Sequence, residues 1–264
     1  MPAHVRLYRT CGLVLRQSDL GETDRIITLF TRDQGKVSAV ARGTKRANSK
    51  LAAGTQLFCH SSFQIAAGRN LDVITQCQVL DSFYELRSDL ERFAYASYLC
   101  ELVDGLTEEH SPSERIFGLL CDGLGQVTKT SDLRLLARVF ELRLVSVLGY
   151  APRLANCLQC HRLPADGEAV GLSPALGGLV CADCARGLGR VYPLSAAALR
   201  AARICLQAGT AILPRVDLDP KSARQLEQAC RRLIEYHLDR QVRSARFLDT
   251  LSHRLQPPAP DPPA

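Results

Sequence analysis

Cys157-Leu-Gln-Cys160 and, after twenty intervening residues, Cys181-Ala-Asp-Cys184 constrain this chain more than any other stretch. Two Cys-x-x-Cys knuckles at that separation have the spacing of a four-thiolate zinc site. Each knuckle is a tight turn that aims two sulfurs at one point, and two knuckles complete a tetrahedron with Zn–S near ~2.3 Å. Four thiolates leave the metal no open position, so the expected role is structural. Gly177-Gly178 sits just before the second knuckle, where a hairpin has to reverse. A redox pair or four ordinary buried cysteines are the competing readings. A redox Cys-x-x-Cys is expected once, beside a βαβ pattern, whereas here it occurs twice in a loop-rich stretch. His161 competes as a ligand, but its place directly after a knuckle cysteine marks it as a bystander.

The other seven cysteines (Cys11, Cys59, Cys77, Cys100, Cys121, Cys205, Cys230) are scattered among apolar neighbours. That usage fits a reducing cytoplasm, where free cysteine behaves as a small hydrophobe. No apolar run approaches the length of a membrane span, and Met1-Pro-Ala-His-Val-Arg6 lacks the apolar core of a secretory signal. No membrane partner is expected. The 264 residues suffice for one large or two to three small domains.

The net charge of +6 is unevenly placed. Residues 1–50 hold ten Lys/Arg and four Asp/Glu, which accounts for the whole excess. Residues 72–122 carry eleven acids against three bases, and residues 221–254 carry eight bases against four acids. Such asymmetry predicts a polyanionic partner for the N-terminal part.

Short β segments are expected at 7–15, 25–31, 36–42, 55–66 and 71–84. Asp19-Leu-Gly21, Asp33-Gln-Gly35 and Gly68-Arg-Asn70 supply turns through residues that tolerate unusual backbone angles. Five strands with one long basic loop after the third suit a small barrel of the oligonucleotide-binding (OB) type, which removes sheet edges. Helices follow. Ser88-Asp-Leu-Glu91 and Ser111-Pro-Ser-Glu114 read as capping boxes, and Ser131 opens a third helix that ends at Gly149. Two more are expected from Ser195 to Gly209 and from Asp219 to Leu238. The expected architecture is α+β and multidomain: a five-stranded OB-type barrel over 1–84, then a helical domain over 85–153 and 190–254. A four-cysteine zinc module at 154–189 interrupts the helices, and a proline-rich disordered tail follows at 255–264. The module is too small to bury a core of its own, so the metal substitutes for one.

Lys36, Arg42, Lys45, Arg46 and Lys50 place five bases within fifteen residues with no acid between them. Such a loop neutralises phosphates and releases counterions, so binding should weaken steeply with salt. A solvated loop without a partner is the competing reading. Phe30, Phe58 and Phe63 would serve as base-stacking platforms if they were not core, which is the commoner fate of Phe in a small barrel. Arg224, Arg231 and Arg232 recur on one side of a predicted helix, with Arg240, Arg243 and Arg246 after them. A solvated face, a second DNA contact and a pocket for an acidic peptide all fit that pattern. No phosphate loop, dinucleotide fingerprint, zinc-protease or serine-hydrolase motif is present, so no catalytic residue is expected. A zinc-ribbon factor of transcription or translation, a DNA-cutting enzyme and a protein-only scaffold that uses the acidic 72–122 segment remain as alternatives at this level.

The run Gly21-Glu-Thr-Asp-Arg-Ile-Ile-Thr-Leu-Phe-Thr31, then Gly35-Lys-Val37 and Ala41-Arg-Gly-Thr-Lys-Arg46, resembles the start of the bacterial recombination mediators of the RecO family. The order of parts does too: basic barrel, helices, paired Cys-x-x-Cys, more helices. The resemblance covers nearly the whole chain except the proline tail. It implies a protein of the nucleoid-containing cytoplasm that binds single- and double-stranded DNA and anneals complementary strands. It further implies partnership with RecR, displacement of single-stranded-DNA-binding protein (SSB) and loading of RecA, with RecF as a further partner. Carried over by position, the DNA contacts are Arg25, Lys36, Arg42, Lys45, Arg46 and Lys50. One zinc ion falls to Cys157, Cys160, Cys181 and Cys184, and the acidic SSB tail to a rim of Arg224, Arg231 and Arg232.

Overall fold

The computed structural model describes residues 6–165, 168 and 170–255, so the proline-rich stretch 257–264 lies outside it. Five strands come first: β1 (Leu7–Leu20), β2 (Asp24–Thr31), β3 (Gly35–Ala41), β4 (His60–Ala66) and β5 (Asp72–Asp81). They close into a barrel in the order β1-β2-β3-β5-β4. Every pairing is antiparallel except that of β3 with β5 at Ala39/Asp72 and Val40/Val73. This is the barrel expected from the sequence. Its first strand, however, runs to Leu20 rather than stopping at residue 15. A bulge between Val14 and Arg16 bends β1 so that one strand pairs with both β2 and β4. Residues 55–59 are turn rather than strand, because Phe58 takes φ +71° and hydrogen-bonds to Val14.

Strand alternation feeds two different cores. Val14, Ile27, Leu29, Phe63, Ile65 and Ile74 point into the barrel. Leu13, Leu15 and Phe30 point outwards on the same strands and enter the core of the helices. Phe30, Phe58 and Phe63 are at most 1% exposed, so none is a stacking platform.

The helices are α1 (Glu85–Ser88), α2 (Leu90–Leu106), α3 (Glu114–Lys129) and α4 (Leu133–Val147), then, beyond the cysteine segment, α6 (Ala196–Gln207), α7 (Pro220–Leu238) and α8 (Arg243–Leu255); α5 (Ala182–Ala185) lies within that segment. Three starts fall one or two residues beyond the expected serines. Asp89, Ser113 and Asp132 accept the amides of Arg92, Ile116 and Leu135. Ser88 is itself the last residue of α1, and Pro112 precedes the cap rather than following it. Ser195 and Asp219 cap α6 and α7 as expected, with Pro220 at the start of α7. Helix α8 had no counterpart among the expected elements.

The barrel is fixed to the helices through the β2–β3 turn. Gly35 (φ +68°) lies so close to Ser111 that an added Cβ would sit 2.4 Å from its backbone. The Lys36 ammonium donates to the carbonyls of Asp104 (2.5 Å) and Thr107 (2.6 Å), and the amide of His110 donates to the Lys36 carbonyl.

At the centre of the helices, Glu141 on α4 is 1% exposed. It accepts from Tyr98 Oη and, at 2.6 Å, from Arg138 Nη2. Burial pushes the Glu141 carboxyl up while Arg138 and Tyr98 pull it down. Glu141→Ala would leave Arg138 buried with only Glu227, 3.7 Å away, as counter-charge. Loss of one member of a buried pair costs about 3–5 kcal/mol. Urea unfolding should show that loss, and Glu141→Gln, which keeps an acceptor for Tyr98, should lose less.

Candidate nucleic-acid interface and metal centre

The cysteine segment folds on a three-stranded antiparallel sheet in the order β7-β6-β8: β6 (Val170–Ser173), β7 (Gly178–Cys181) and β8 (Tyr192–Leu194). Gly177 turns the β6–β7 hairpin at φ +69°. Gly178 lies against the backbone of Arg153, where a Cβ would sit 2.3 Å from the carbonyl oxygen. The amide of Leu179 donates to that carbonyl and the amide of Leu158 donates to Leu179. The first knuckle is thereby strapped onto the strand that carries the second.

The sulfurs of Cys157, Cys160, Cys181 and Cys184 all lie within 4.8 Å of one another. Cys160 Sγ and Cys181 Sγ are 3.9 Å apart, close to the ~3.8 Å edge of a tetrahedron with Zn–S of ~2.3 Å. The Cys181 amide donates to Cys157 Sγ at 3.4 Å. Burial raises the Cys157 thiol, but the amides of Cys160, Cys181 and Gln159 outweigh it and bring the pKa down to about 6. The Cys184 amide lowers Cys181 in the same way. Cys184 is instead pushed up by the neighbouring sulfurs, as thiols crowded round one point are. Four soft sulfur donors suit a d¹⁰ ion of the zinc type, so the four cysteines can hold a metal. His161 stands outside the cluster. It is an exposed turn residue at φ +60° whose amide donates to Cys157.

Among the described residues, Cys157, Val180 and Cys181 form the buried cluster local to this segment, with Cys184, Ala185, Leu188 and Val191 packed against it. Val170, Leu172, Leu179 and Leu194 belong instead to the main helical core.

The basic loop leaves β3 at Ala41 and runs over the open end of β2. Gly43 (φ +66°) turns it, and its amide donates to Asp24 Oδ1 at 2.8 Å. That contact, with the Thr23 hydroxyl, holds Asp24 below the usual carboxylate range. Lys45 donates its amide to Thr23, and Thr44 is buried beneath. The loop is thus a bonded structure that turns its charges outward. Arg42, Lys45, Arg46 and Lys50 are all exposed. Arg42, Arg46 and Lys50 have no ion-pair partner among the described residues. Lys45 and Arg25 share Asp19 at 2.9 and 3.4 Å, which groups Arg25 with the loop. Lys36 stands apart, since its ammonium is committed to Asp104 and Thr107 in the seam with the helices.

The three arginines of α7 separate. Arg231 makes a bidentate pair with Asp249 of α8 at 2.6 and 2.7 Å. Arg232 pairs with Glu235 at 2.8 Å and lies over the Tyr192 ring. Arg224 alone opens onto a cavity of about 560 Å³, lined also by Arg134 and Arg138 of α4, by the acids Asp132, Asp217 and Glu227, and by Leu135, Val216, Leu218 and Leu226. Arg134 and Arg138 escaped the sequence reading because they stand about ninety residues earlier, and only helix packing brings them to Arg224. Among the described residues no helix is long and apolar enough to cross a membrane.

Residues 5–83 match the family described as Recombination protein O N terminal, and residues 87–246 match Recombination protein O C terminal. A protein of Moorella thermoacetica named DNA repair protein RecO is 35% identical over 245 residues, covering 93% of this chain and 91% of that one. Its namesake in Roseiflexus sp. is 36% identical and covers 97% and 89%. That of Symbiobacterium thermophilum is 38% identical and covers 93% and 98%. With both halves matched and relatives similar end to end, the chain belongs to the RecO family of DNA repair proteins.

Proposed function

We propose that this chain is a recombination mediator that acts by binding rather than by making or breaking bonds. It holds single- and double-stranded DNA on the barrel, lets complementary strands anneal there and, with RecR, helps RecA onto SSB-coated DNA in the RecF pathway. The work is done in the cytoplasm, at the nucleoid. The observation that carries this reading is the ordered, outward-facing loop with Arg42, Lys45, Arg46 and Lys50, joined by Arg25, on a closed barrel of a DNA repair family. Contacts to phosphates carry no sequence information, so two strands held this way remain free to pair through their bases. Neutralising phosphates also lowers the repulsion between them.

Recruitment is assigned to the cavity beside Arg224. Its apolar floor and the guanidiniums of Arg134 and Arg224 suit a short peptide that is both acidic and hydrophobic, the character of the SSB tail, while Arg138 is committed to Glu141 and Glu227. Arg231 and Arg232, whose guanidiniums already have carboxylate partners, support the helices around it. The zinc ion assigned to the four cysteines fixes the junction between α4 and α6 and takes no part in binding.

One annealing experiment tests both assignments. Lys45→Ala with Arg46→Ala should slow annealing of naked and SSB-coated strands alike. Arg134→Ala with Arg224→Ala should slow only the coated strands, by about tenfold per lost charge-assisted contact. Naked-strand annealing untouched by the first pair would refute the barrel assignment.

A further inference from the structure

Between the barrel and the helices runs a cleft of about 610 Å³ that none of the assignments above uses. Its rim carries Arg16 of β1, Arg240 from the turn between α7 and α8 and Arg243 at the start of α8, and its floor includes Leu15, Leu57 and Phe58. Glu101 and Asp104 also face it, but both carboxylates are engaged. Glu101 accepts the amides of Arg243 and Ser244 at 2.9 and 2.8 Å and so caps α8. Asp104 is held between Arg16 Nε (3.2 Å) and Lys36 Nζ (3.6 Å). Three arginines and two carboxylates therefore line the cleft, and Lys36 offsets part of the Asp104 charge from the seam behind it. Arg240 and Arg243 are exposed and have no ion-pair partner among the described residues. Gly105 of α2 leaves the space in which the Arg240 guanidinium lies, for a Cβ there would sit 2.9 Å from Arg240 Nη2.

The cleft is continuous with the basic loop. Gln17 lines it and accepts from Arg25 Nη1 at 3.4 Å, and Arg25 shares Asp19 with Lys45. Basic side chains thus follow one another from Lys45 and Arg25 to Arg16, Arg240 and Arg243, with the neutral Gln17 bridging Arg25 to the cleft and with Asp19 and Asp104 paired along the way. We infer that a single DNA strand held by the barrel loop continues into this cleft, with its phosphates along Arg16, Arg240 and Arg243. This rests on the barrel being the DNA site and extends that site onto the helices. The phosphates of an unpaired strand fit the charged rim, while Leu15 and Phe58 are too buried to stack with its bases.

The test measures anisotropy of labelled oligothymidylates of about 8 and about 25 nucleotides, the shorter within the reach of one barrel. The full-length chain is used, as wild type, as Arg240→Ala with Arg243→Ala, and as Arg42→Ala/Lys45→Ala/Arg46→Ala. The cleft pair should leave the short oligonucleotide unchanged and weaken the long one about tenfold or more. It should also flatten the salt slope of the long one by about 1.4, the value for two single-strand phosphates. Arg240→Lys with Arg243→Lys should restore most of the loss, since charge rather than fork geometry is required. The Arg243 side chain is not the α8 cap, so unfolding midpoints should stay unchanged. Equal binding of the long oligonucleotide by wild type and the cleft pair, with loss in the loop variant, would overturn the cleft but leave the barrel site standing. Failure of the wild type to bind either length would overturn both. Binding of an acidic peptide lost in the cleft pair, with DNA binding intact, would assign the cleft to a protein segment and overturn it equally.

Discussion

Cys157→Ala should yield a chain without bound zinc and with the junction between α4 and α6 unfolded. A structural zinc contributes about 10–16 kcal/mol of binding free energy in peptide-sized domains at pH 7. Among the described residues the local buried cluster is Cys157, Val180 and Cys181, two of them candidate ligands, with the part-buried Ala185, Leu188 and Val191 against it, so little holds the segment when the metal is lost. The damage should spread further. Val170, Leu172, Leu179 and Leu194 are buried in the main core, and Arg203 of α6 donates to the carbonyl of Leu154 just before the first knuckle. Elemental analysis should find one zinc per wild-type chain and none in the variant, and the unfolding midpoint should fall sharply. Cys181→Ser should behave alike. His161→Ala should keep both metal and stability, because its ring lies outside the sulfur cluster. A wild-type chain that is free of metal at full stability would dispose of the structural role.

Arg42→Ala/Lys45→Ala/Arg46→Ala should cost DNA affinity by roughly a thousandfold at low salt, counting about 1.4 kcal/mol or tenfold for each charge-assisted phosphate contact. The slope of log affinity against log salt for a single strand should become shallower by about 2, since each lost phosphate contact releases ~0.7 fewer counterions. Stability should barely change. The loop is held by backbone contacts, Gly43 to Asp24 and Lys45 to Thr23, that alanine preserves. Fluorescence anisotropy over a salt series separates this outcome from general damage, in which affinity falls but the slope stays.

These experiments rest on features of unequal visibility. The cysteine cluster was legible because a knuckle is local: four consecutive residues set the distance between two sulfurs, and a hairpin reversed at Gly177 supplies the second pair. The barrel was legible through alternating residues and turns at Gly21 and Gly35, both with positive φ. Even so, the strand limits shifted. Whether residues 16–20 belong to β1 depends on Arg16 through Leu20 finding partners at Thr28 through Asp24, and pairing across strands leaves no mark on the strand itself. Helix starts slipped for a related reason. Ser88, Asp89, Ser111 and Ser113 can each serve as a cap, and the backbone conformation delivered by the preceding element decides among them.

What the sequence determined by itself was everything set by near neighbours: four sulfurs converging on a point, a run of bases on one loop, the strand and helix periods, and caps such as Asp219 before Pro220. The tertiary structure alone decided which charges are free to act. Lys36 belongs to the basic run by position, yet it is consumed by carbonyls about seventy residues away. Arg224 gains Arg134 across the helix packing, while Arg138 is taken by Glu141 and Arg231 by Asp249. Helix α8 is capped by Glu101 from α2 rather than by a residue of its own. A charge acts at a distance fixed by the fold, not by the chain, so its partner, and with it its availability to a ligand, is a property of three-dimensional proximity.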